Sequence, residues 1–372
     1  MKLTVLQENL KTAINLTSHF ITNKAQLPIL SSILIQANKS KLTLSATNLE
    51  NSITTSIAVK IEKEGEITVN GKVFNEVISN LSSGTIDIEV VKEQIKITSP
   101  NFKSNILGSN TSDFPKLPKS VGRNSIVLEK EEFVKSLSKV LFSVSLDETR
   151  PVYTGVWFIF NDKNLTLVAT DGSRLTEIIL KTKITSDDFS LIIPKSILNE
   201  IVRIEEDDNI EMSYDKENNQ VVFKIGDILL SSRIIEGSFP DYKKIIPKSS
   251  VSIINIDKLE LEKAVKLSSV FARDAGNIVK LIINNEKLVI KAESSTSGSQ
   301  ETEIEIRVGE GEKSIEQEIE IMFNFKFLEE MLKVIENDEI CIKITGANTA
   351  AIFLDSKSPN FLHLIMPIKS QN

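Results

Sequence analysis

Cysteine and histidine are almost absent from this sequence. Its 372 residues include one cysteine, Cys341, and two histidines, His19 and His363. One cysteine excludes an internal disulfide and is typical of a reducing compartment. Two histidines exclude a histidine-rich zinc site. His19 closes a helical pattern and His363 lies in an apolar strand pattern, so we predict a structural or surface role for each.

Long hydrophobic runs are also missing. No segment approaches the roughly eighteen apolar residues of a membrane helix, and the first residues lack the pattern of a signal peptide. We therefore expect a cytoplasmic protein with no membrane partner. The net charge of −7 argues against a nucleic-acid binder that is basic all over. It permits a locally positive face, because the field depends on how the charges are arranged.

What the sequence does contain is a threefold repeat. LTLVATD at 165–171 has a near copy, LTLSATN, at 42–48 and a weaker one, LVIKAES, at 288–294. The offset is 123 residues both times. Such self-similarity indicates one structural unit used three times, and 372 residues suffice for three domains.

Two helical patterns recur in the same order. The first is NLKTAINLT (9–17), EFVKSLSKV (132–140) and ELEKAVKLS (260–268), and the second is KVFNEVI (72–78), SILNEIV (196–202) and KFLEEML (326–332). Their apolar spacing is that of one helix face, which we expect to pack on a sheet. The opposite faces carry many lysines, Lys139 among them, and we expect those faces to be solvated.

Proline-containing segments separate the repeats, at 113–120 and 238–250. Proline neither continues a helix nor donates to a strand ladder, so these are natural linkers. We predict an α+β fold of three domains, 1–121, 122–248 and 249–372. Each has two helices packed on antiparallel sheets.

Five motifs in this order resemble the bacterial DNA polymerase III beta subunit, the replication sliding clamp. They are DETRPVYTGV (147–156), ATDGSRL (169–175), IIPKSILNEI (192–201), EGSFPDYKKIIP (236–247) and LIMPI (364–368). The resemblance runs through all three repeats and so covers nearly the whole chain. It implies DNA-clamp domains that close as a head-to-tail homodimer into a six-domain ring around double-stranded DNA, without sequence preference. Such a processivity factor is not an enzyme.

Helix packing gives an independent reason for a dimer. At about 8–10 Å between packed helices, six helices would line a hole of roughly 18 Å. A DNA duplex is roughly 20 Å across. Twelve helices from two chains give a hole of roughly 35 Å, which is wide enough.

The TDG-x-R-L turn supplies Thr170, Gly172, Arg174 and Leu175. In the family this turn is part of an apolar pocket into which DNA polymerase III, the clamp loader and other replication and repair proteins insert a peptide with a glutamine and two apolar anchors. Carried over by motif, with an arginine at the rim, the pocket adds Tyr153, Pro240, Ile245, Asn324, Phe327, Leu364, Met366 and Pro367. Two residues depart from the family: leucine is common in place of Tyr153, and histidine in place of Ser173.

For DNA, the resemblance points to Lys24, Lys72 and Lys195. A ring needs only weak, sequence-independent phosphate contacts, since tight ones would slow its sliding. The dimer contact would join the first domain around 101–107 to the third domain near 271–277.

Two other classes of protein remain open on the residues alone. One is a repeat-built scaffold that binds peptides without DNA. The other is a phosphate-processing enzyme centred on Asp171, with Asp147 and Glu148 as magnesium ligands. Against the enzyme, the residue equivalent to Asp171 is Asn48 in the first repeat and Ser294 in the third. We expect no metal and no other cofactor.

Overall fold

The structure of the protein is a computed structural model. It describes residues 1–22, 27–122, 125–161, 163–182, 188–247, 252–309, 315 and 317–369. The chain divides into two compact units. The first unit comprises residues 1–130 and 204–234, and the second comprises residues 131–203 and 235–372.

Six α-helices lie in the described residues, two in each repeat. They are α1 (Gln7–Ser18), α2 (Gly71–Ser79), α3 (Lys130–Val140), α4 (Lys195–Arg203), α5 (Lys258–Ala272) and α6 (Phe325–Leu332). They coincide with the six predicted helical patterns. The apolar residues that define the patterns, such as Leu10, Phe133 and Leu261, are buried.

The strands complete the α+β fold. Those of the first repeat are β1 (Lys2–Leu6), β2 (Ser32–Asn38), β3 (Lys41–Thr47), β4 (Asn51–Ala58), β5 (Lys60–Lys63), β6 (Gly65–Asn70), β7 (Thr85–Val91), β8 (Gln94–Ser99) and β9 (Phe102–Ser109). Those of the second are β10 (Ile126–Leu128), β11 (Gly155–Asn161), β12 (Asn164–Thr170), β13 (Arg174–Lys181), β14 (Phe189–Pro194), β15 (Ile210–Asp215), β16 (Gln220–Ile225) and β17 (Ile228–Arg233). Those of the third are β18 (Ser252–Asp257), β19 (Ile278–Ile283), β20 (Lys287–Ser294), β21 (Gly298–Val308), β22 (Ile319–Asn324), β23 (Glu339–Ile344), β24 (Ala351–Asp355) and β25 (Ser358–Ile365).

Each unit is built on one antiparallel sheet. In the first unit the strand order is β10-β15-β16-β17-β4-β3-β2-β6-β9-β8-β7-β1-β5. In the second it is β14-β11-β12-β13-β25-β24-β23-β18-β21-β20-β19-β22. Strands of the second repeat therefore pair with the first repeat in one unit and with the third repeat in the other.

The end of the last strand of each repeat, or the segment that follows it, contacts one of three equivalent strands, β6, β14 or β22. Ser109 pairs with Thr68, and Ile235 forms a bridge with Ile192. The backbone N–H of Ile368 donates to the carbonyl of Met322 at 2.8 Å. The two linkers and the C-terminal segment thus leave equivalent positions.

Lys139 corrects the expectation of a solvated helix face. Its side chain is buried: the ammonium donates to the Ser358 hydroxyl at 2.9 Å and lies 3.2 Å from a Glu336 carboxylate oxygen. The sequence pattern could not predict these partners, because they lie about two hundred residues further along the chain. Among the described residues, no helix has the length and apolar character needed to cross a membrane.

Candidate functional site

The TDG turn joins β12 to β13 in the second unit. Gly172 has φ +93°, a conformation that glycine adopts without strain. The Thr170 hydroxyl accepts the Gly172 N–H at 3.0 Å and donates to the Arg174 carbonyl at 2.5 Å. Asp171 Oδ1 accepts the N–H groups of Ser173 and Arg174 at 2.8 and 3.1 Å. The aspartate therefore stabilises the turn.

The first repeat builds the same turn without a carboxylate. The Thr47 hydroxyl accepts the Leu49 N–H at 3.0 Å and donates to the Asn51 carbonyl at 2.9 Å. Asn48 Oδ1 accepts the N–H groups of Glu50 and Asn51 at 3.1 and 2.7 Å. A capping oxygen, rather than a charge, is what the turn requires.

Asp147 is engaged in its own loop in the same way. Its Oδ1 accepts the Thr149 N–H at 3.0 Å and the Thr149 hydroxyl at 2.6 Å, and Arg150 lies 3.2 Å from Oδ2. The hydrogen bonds from Thr149, more than the nearby Arg150 charge, lower the pKa of this carboxyl. Asp147 and Asp171, the two aspartates of the enzyme hypothesis, thus both serve as loop caps in the structure.

Arg174 does not lie at a rim, as the sequence led us to expect, but is buried with 7% of its surface exposed. It forms an ion pair with Asp171 at 3.0 Å and another with Glu330 of α6, and donates to the Phe142 carbonyl at 2.7 Å. The guanidinium lies over the ring of Phe327, 4.5 Å from its centre, and 5.3 Å from that of Phe142. Arg174 thus connects the TDG turn to a helix of the third repeat.

An apolar cluster lies under the turn. Leu175 and Leu364 face each other across β13 and β25, and both are fully buried. Phe239, from the linker between the second and third repeats, stacks on Trp157 with ring centres 5.0 Å apart. Tyr153 packs against the same cluster, its ring 6.1 Å from that of Phe239.

Several predicted pocket residues are accessible to solvent. Met366 is 38% exposed, and its N–H donates to the Ser173 carbonyl at 2.8 Å. Ile245 and Pro240, on the same linker as Phe239, are exposed, while Pro367 is partly buried. We use the name peptide surface for the predicted pocket residues Tyr153, Leu175, Pro240, Ile245, Leu364, Met366 and Pro367, after the role that the resemblance implies for them.

Asn324 and Phe327, the other two predicted residues, have structural roles. Asn324 caps α6, its side chain accepting the Lys326 N–H at 3.0 Å, and Phe327 covers Arg174. The motif comparison missed Trp157 and Glu330. Glu330 pairs with Arg174, and Trp157 packs against the apolar cluster that includes Leu175 and Leu364. Trp157 is the one tryptophan of the chain and lies in the strand after DETRPVYTG, so proximity to a motif was the available signal.

Lys195 lies in a neighbouring cleft of about 450 Å³ in the second unit. The cleft is lined by Phe142, Val144, Ser145, Leu146, Asp147, Arg150, Asp171, Arg174, Lys195 and Glu330. Burial lowers the pKa of the Lys195 ammonium, and the Arg174 charge lowers it further. Lys72, at the start of α2 in the first unit, is exposed, and Lys24 lies outside the described residues.

His363 is buried in β25, as its strand pattern predicts. Its Nδ1 lies 2.8 Å from the Thr176 hydroxyl, which in turn bonds to the Ser143 hydroxyl at 2.6 Å. Complete burial, with a smaller contribution from Arg174, lowers the pKa of the imidazole to about 3. The ring is therefore neutral at physiological pH and supports the packing between β13 and β25.

Comparison with known proteins assigns all three repeats to one family. Residues 1–118, 127–241 and 243–369 match the family models of the DNA polymerase III beta subunit for its N-terminal, central and C-terminal domains. The chain is 28% identical over 380 residues to the beta sliding clamp of Staphylococcus epidermidis, and each chain is covered completely.

Solved structures agree with these matches. The DNA polymerase sliding clamp of Bacillus subtilis has a TM-score of 0.92 and 26% identity, over 100% of this chain and 99% of that one. The DNA polymerase III beta chain of Streptococcus pneumoniae has a TM-score of 0.92 and 25% identity, over 99% and 100%.

The fold and these matches define an α+β DNA clamp of three domains. The chain belongs to the bacterial DNA polymerase III beta subunit family, the sliding clamps. It is a processivity factor for DNA polymerase, and it is not an enzyme. The resemblance found in the sequence is thereby confirmed.

Proposed function

We propose that two copies of this chain close head to tail into a ring that encircles duplex DNA in the cytoplasm and tethers DNA polymerase III to it. The repeats would act as domains 1–121, 122–248 and 249–372. The observation that carries the proposal is the way in which consecutive repeats are joined.

The chain makes the same strand junction twice. In the first unit β17 pairs with β4, and Leu230 lies opposite Ile53. In the second unit β25 pairs with β13, and His363 lies opposite Thr176. Each time, the last strand of one repeat pairs in the same register with the fourth strand of the preceding repeat.

Within the described part of a single chain, two strands lack such a partner: β9, the last strand of the first repeat, and β21, the fourth strand of the third repeat. In the first repeat, Ser104 in β9 occupies the position that Leu230 has in β17 and His363 has in β25. In the third repeat, Gln300 in β21 occupies the position that Ile53 has in β4 and Thr176 has in β13. Among the described residues, 102–107 pair only with β8, and 298–304 pair only with β20. Such open edges invite pairing with another chain.

Pairing β9 of one copy with β21 of the other closes both edges. The register of the two existing junctions puts Ser104 opposite Gln300 and therefore Lys103 opposite Glu301, a favourable cross-strand pair. Leu107 in β9 is 74% exposed in the single chain and would become buried in this pairing. It would pack beside α5 of the other copy, where Leu267 and Val270 are also exposed. A head-to-tail contact that closes after two copies gives a ring with no free end.

Inside the ring, Lys24, Lys72 and Lys195 would contact DNA phosphates. Each contact contributes salt-sensitive affinity that does not depend on base sequence, as sliding requires. Lys72 is exposed, which supports its role. The half-buried Lys195 would reach DNA only from within its cleft.

The peptide surface would recruit DNA polymerase III, the clamp loader and other replication and repair proteins. A few buried apolar side chains carry most of the affinity of such contacts. Leu175 and Leu364 provide a fixed floor, whereas Met366 is exposed and its flexible side chain can adapt to different peptides. Tyr153 brings a polar hydroxyl to the edge of this surface.

Met366→Ala is expected to weaken binding of a peptide containing glutamine and two leucine anchors about tenfold or more, which corresponds to about 1.4 kcal/mol or above. The alanine removes an exposed apolar contact but leaves the buried floor in place. The change is measured by fluorescence anisotropy of the labelled peptide. Leu259→Ala, an exposed apolar residue of α5 in the same unit, is the matched control and should bind as wild type does. Equal affinity for wild type and Met366→Ala would contradict the assignment.

A further inference from the structure

The first unit contains a cleft at the position that corresponds to the peptide surface of the second unit. Its volume is about 710 Å³, within the range of cavities that bind small ligands and short peptides. Residues that line it include Leu49, Ser52, Pro115, Lys116, Gln220 and Arg233. We call it the first-unit cleft.

The two places are built by the same backbone contacts. The turn after β3 repeats the hydrogen bonds of the TDG turn, with Thr47 in the role of Thr170. The Arg233 N–H donates to the Glu50 carbonyl at 2.9 Å, as the Met366 N–H donates to the Ser173 carbonyl.

The linkers correspond as well. Phe114 and Pro115 follow the first repeat as Phe239 and Pro240 follow the second, and both phenylalanines are buried. The first-unit cleft is therefore the counterpart of the peptide surface rather than a chance depression.

The side chains at these equivalent positions have a different chemistry. Where Leu175 faces Leu364 in the second unit, Ser52 faces Ser231 in the first, with the two hydroxyls 2.6 Å apart. Gln220 donates to the same Ser231 hydroxyl at 3.1 Å. A floor of hydroxyl and amide groups selects polar ligand groups, because an apolar anchor would meet polar atoms rather than matching apolar contacts.

The lining carries two cations, Lys116 and Arg233, and two carboxylates, Glu50 and Asp215. Arg233 takes the place of Met366, and Lys116 lies on the linker that borders the cleft; both are exposed. The acidic Asp215 is held by its own turn, accepting the Asn218 side-chain amide at 2.7 Å and the Glu217 N–H at 3.0 Å. Glu50 adds one negative charge at the rim. Because Asp215 is engaged by its own turn, Arg233 and Lys116 in the lining favour a ligand carboxylate.

Leu49 is the second, independent sign of a binding site. It occupies the position of Gly172 and has φ +76°, a conformation that bulky residues rarely adopt. It is also 48% exposed, so burial does not explain the leucine. Backbone strain of this kind is found preferentially at functional sites.

We propose that the first-unit cleft is a second recognition site, for a short extended peptide that carries a carboxylate together with hydroxyl or amide side chains. The inference rests on the proposed peptide-binding function of the second unit, because that function is what makes the equivalent position a peptide site. The apolar side chain of Leu49 supplies one contact above the polar floor.

The test is selection of a random heptapeptide phage library on the wild-type protein, with the second unit saturated by the glutamine-and-leucine peptide. Enriched peptides should contain Asp or Glu together with Ser, Asn or Gln. Their synthetic versions should lose at least tenfold in affinity with Arg233→Glu and with Leu49→Gly, and should bind Met366→Ala as they bind wild type.

Leu49→Gly distinguishes binding from structure. Glycine relieves the strained turn but increases the freedom of the unfolded chain, so the midpoint of urea unfolding should hardly change while peptide affinity falls. Failure to enrich any peptide, or affinity that is insensitive to Arg233→Glu, would overturn the proposal. A labelled oligonucleotide whose binding alone depends on Arg233 would also overturn it, by assigning the cleft to nucleic acid.

The possible results of these experiments distinguish the first-unit cleft from the peptide surface of the second unit. If the glutamine-and-leucine peptide fails to bind at all, the function proposed for the second unit fails, whereas Arg233-dependent peptides can still be selected. If the selected peptides instead require Met366, they occupy the second unit, and the first-unit cleft is not a peptide site.

Discussion

Arg174→Ala is expected to lower the free energy of unfolding of the second unit by about 3 kcal/mol, because it leaves two carboxylates and a carbonyl without their buried partner. This loss of stability is at the lower end of the cost of breaking a buried ion pair, because Glu330 keeps 41% of its side chain exposed. Urea unfolding followed by Trp157 fluorescence measures it, because this one tryptophan of the chain packs in the apolar cluster under the turn. Peptide affinity should fall as well, since the TDG turn loses its connection to α6.

Arg203→Ala is the matched control. Arg203 also pairs with a glutamate, Glu200, at 2.6 Å, but its own side chain is exposed. Exposed pairs contribute little, so its removal should cost less than about 1 kcal/mol. If the two alanine variants were equally stable, Arg174 would not hold the turn to α6.

Lys103→Cys combined with Glu301→Cys, in a Cys341→Ser background, is expected to give a covalently closed dimer on mild oxidation. The proposed register puts the two positions directly opposite each other, with Cβ atoms about 5 Å apart, which a disulfide can bridge with slight adjustment. Both side chains are exposed in the single chain, so folding should tolerate the changes. A non-reducing denaturing gel measures the dimer and the doubly linked ring.

The control shifts one cysteine along the same face of β21. Lys103→Cys with Glu305→Cys separates the positions by four residues, or about 13 Å, beyond the reach of a disulfide. It should remain monomeric on the gel. Equal crosslinking of both pairs would show that the strands do not keep the proposed register.

The sequence predicted the repeated architecture because the signals were local. Three residues at helical spacing, such as Leu10, Ala13 and Ile14, determine which face of α1 is buried. The TDG turn was readable for the same reason, since its capping oxygen and its glycine lie within four residues. The recurrence of the helical patterns at similar offsets, and of the strand before the turn at an offset of 123 residues, then identified three domains.

Long-range contacts could not be predicted in this way. The resemblance led us to expect Arg174 at a rim, and arginine is rarely buried. Its partner Glu330 lies 156 residues away and makes burial possible. The contrast between the Leu175–Leu364 and Ser52–Ser231 pairs also depends on strand register. Only the pairing of β13 with β25 and of β4 with β17 brings those residues together.

The most direct test of the ring is retention of the protein on DNA of different topology. The Lys103→Cys, Glu301→Cys variant, loaded on a nicked circular plasmid and then oxidised to link its two copies, should elute with the plasmid in about 1 M salt, where phosphate contacts are screened. Cutting the plasmid once should release it, because a ring slides off a free end. Equal retention on circular and linear DNA, or release from both in salt, would show that the protein holds DNA by contact rather than by encirclement.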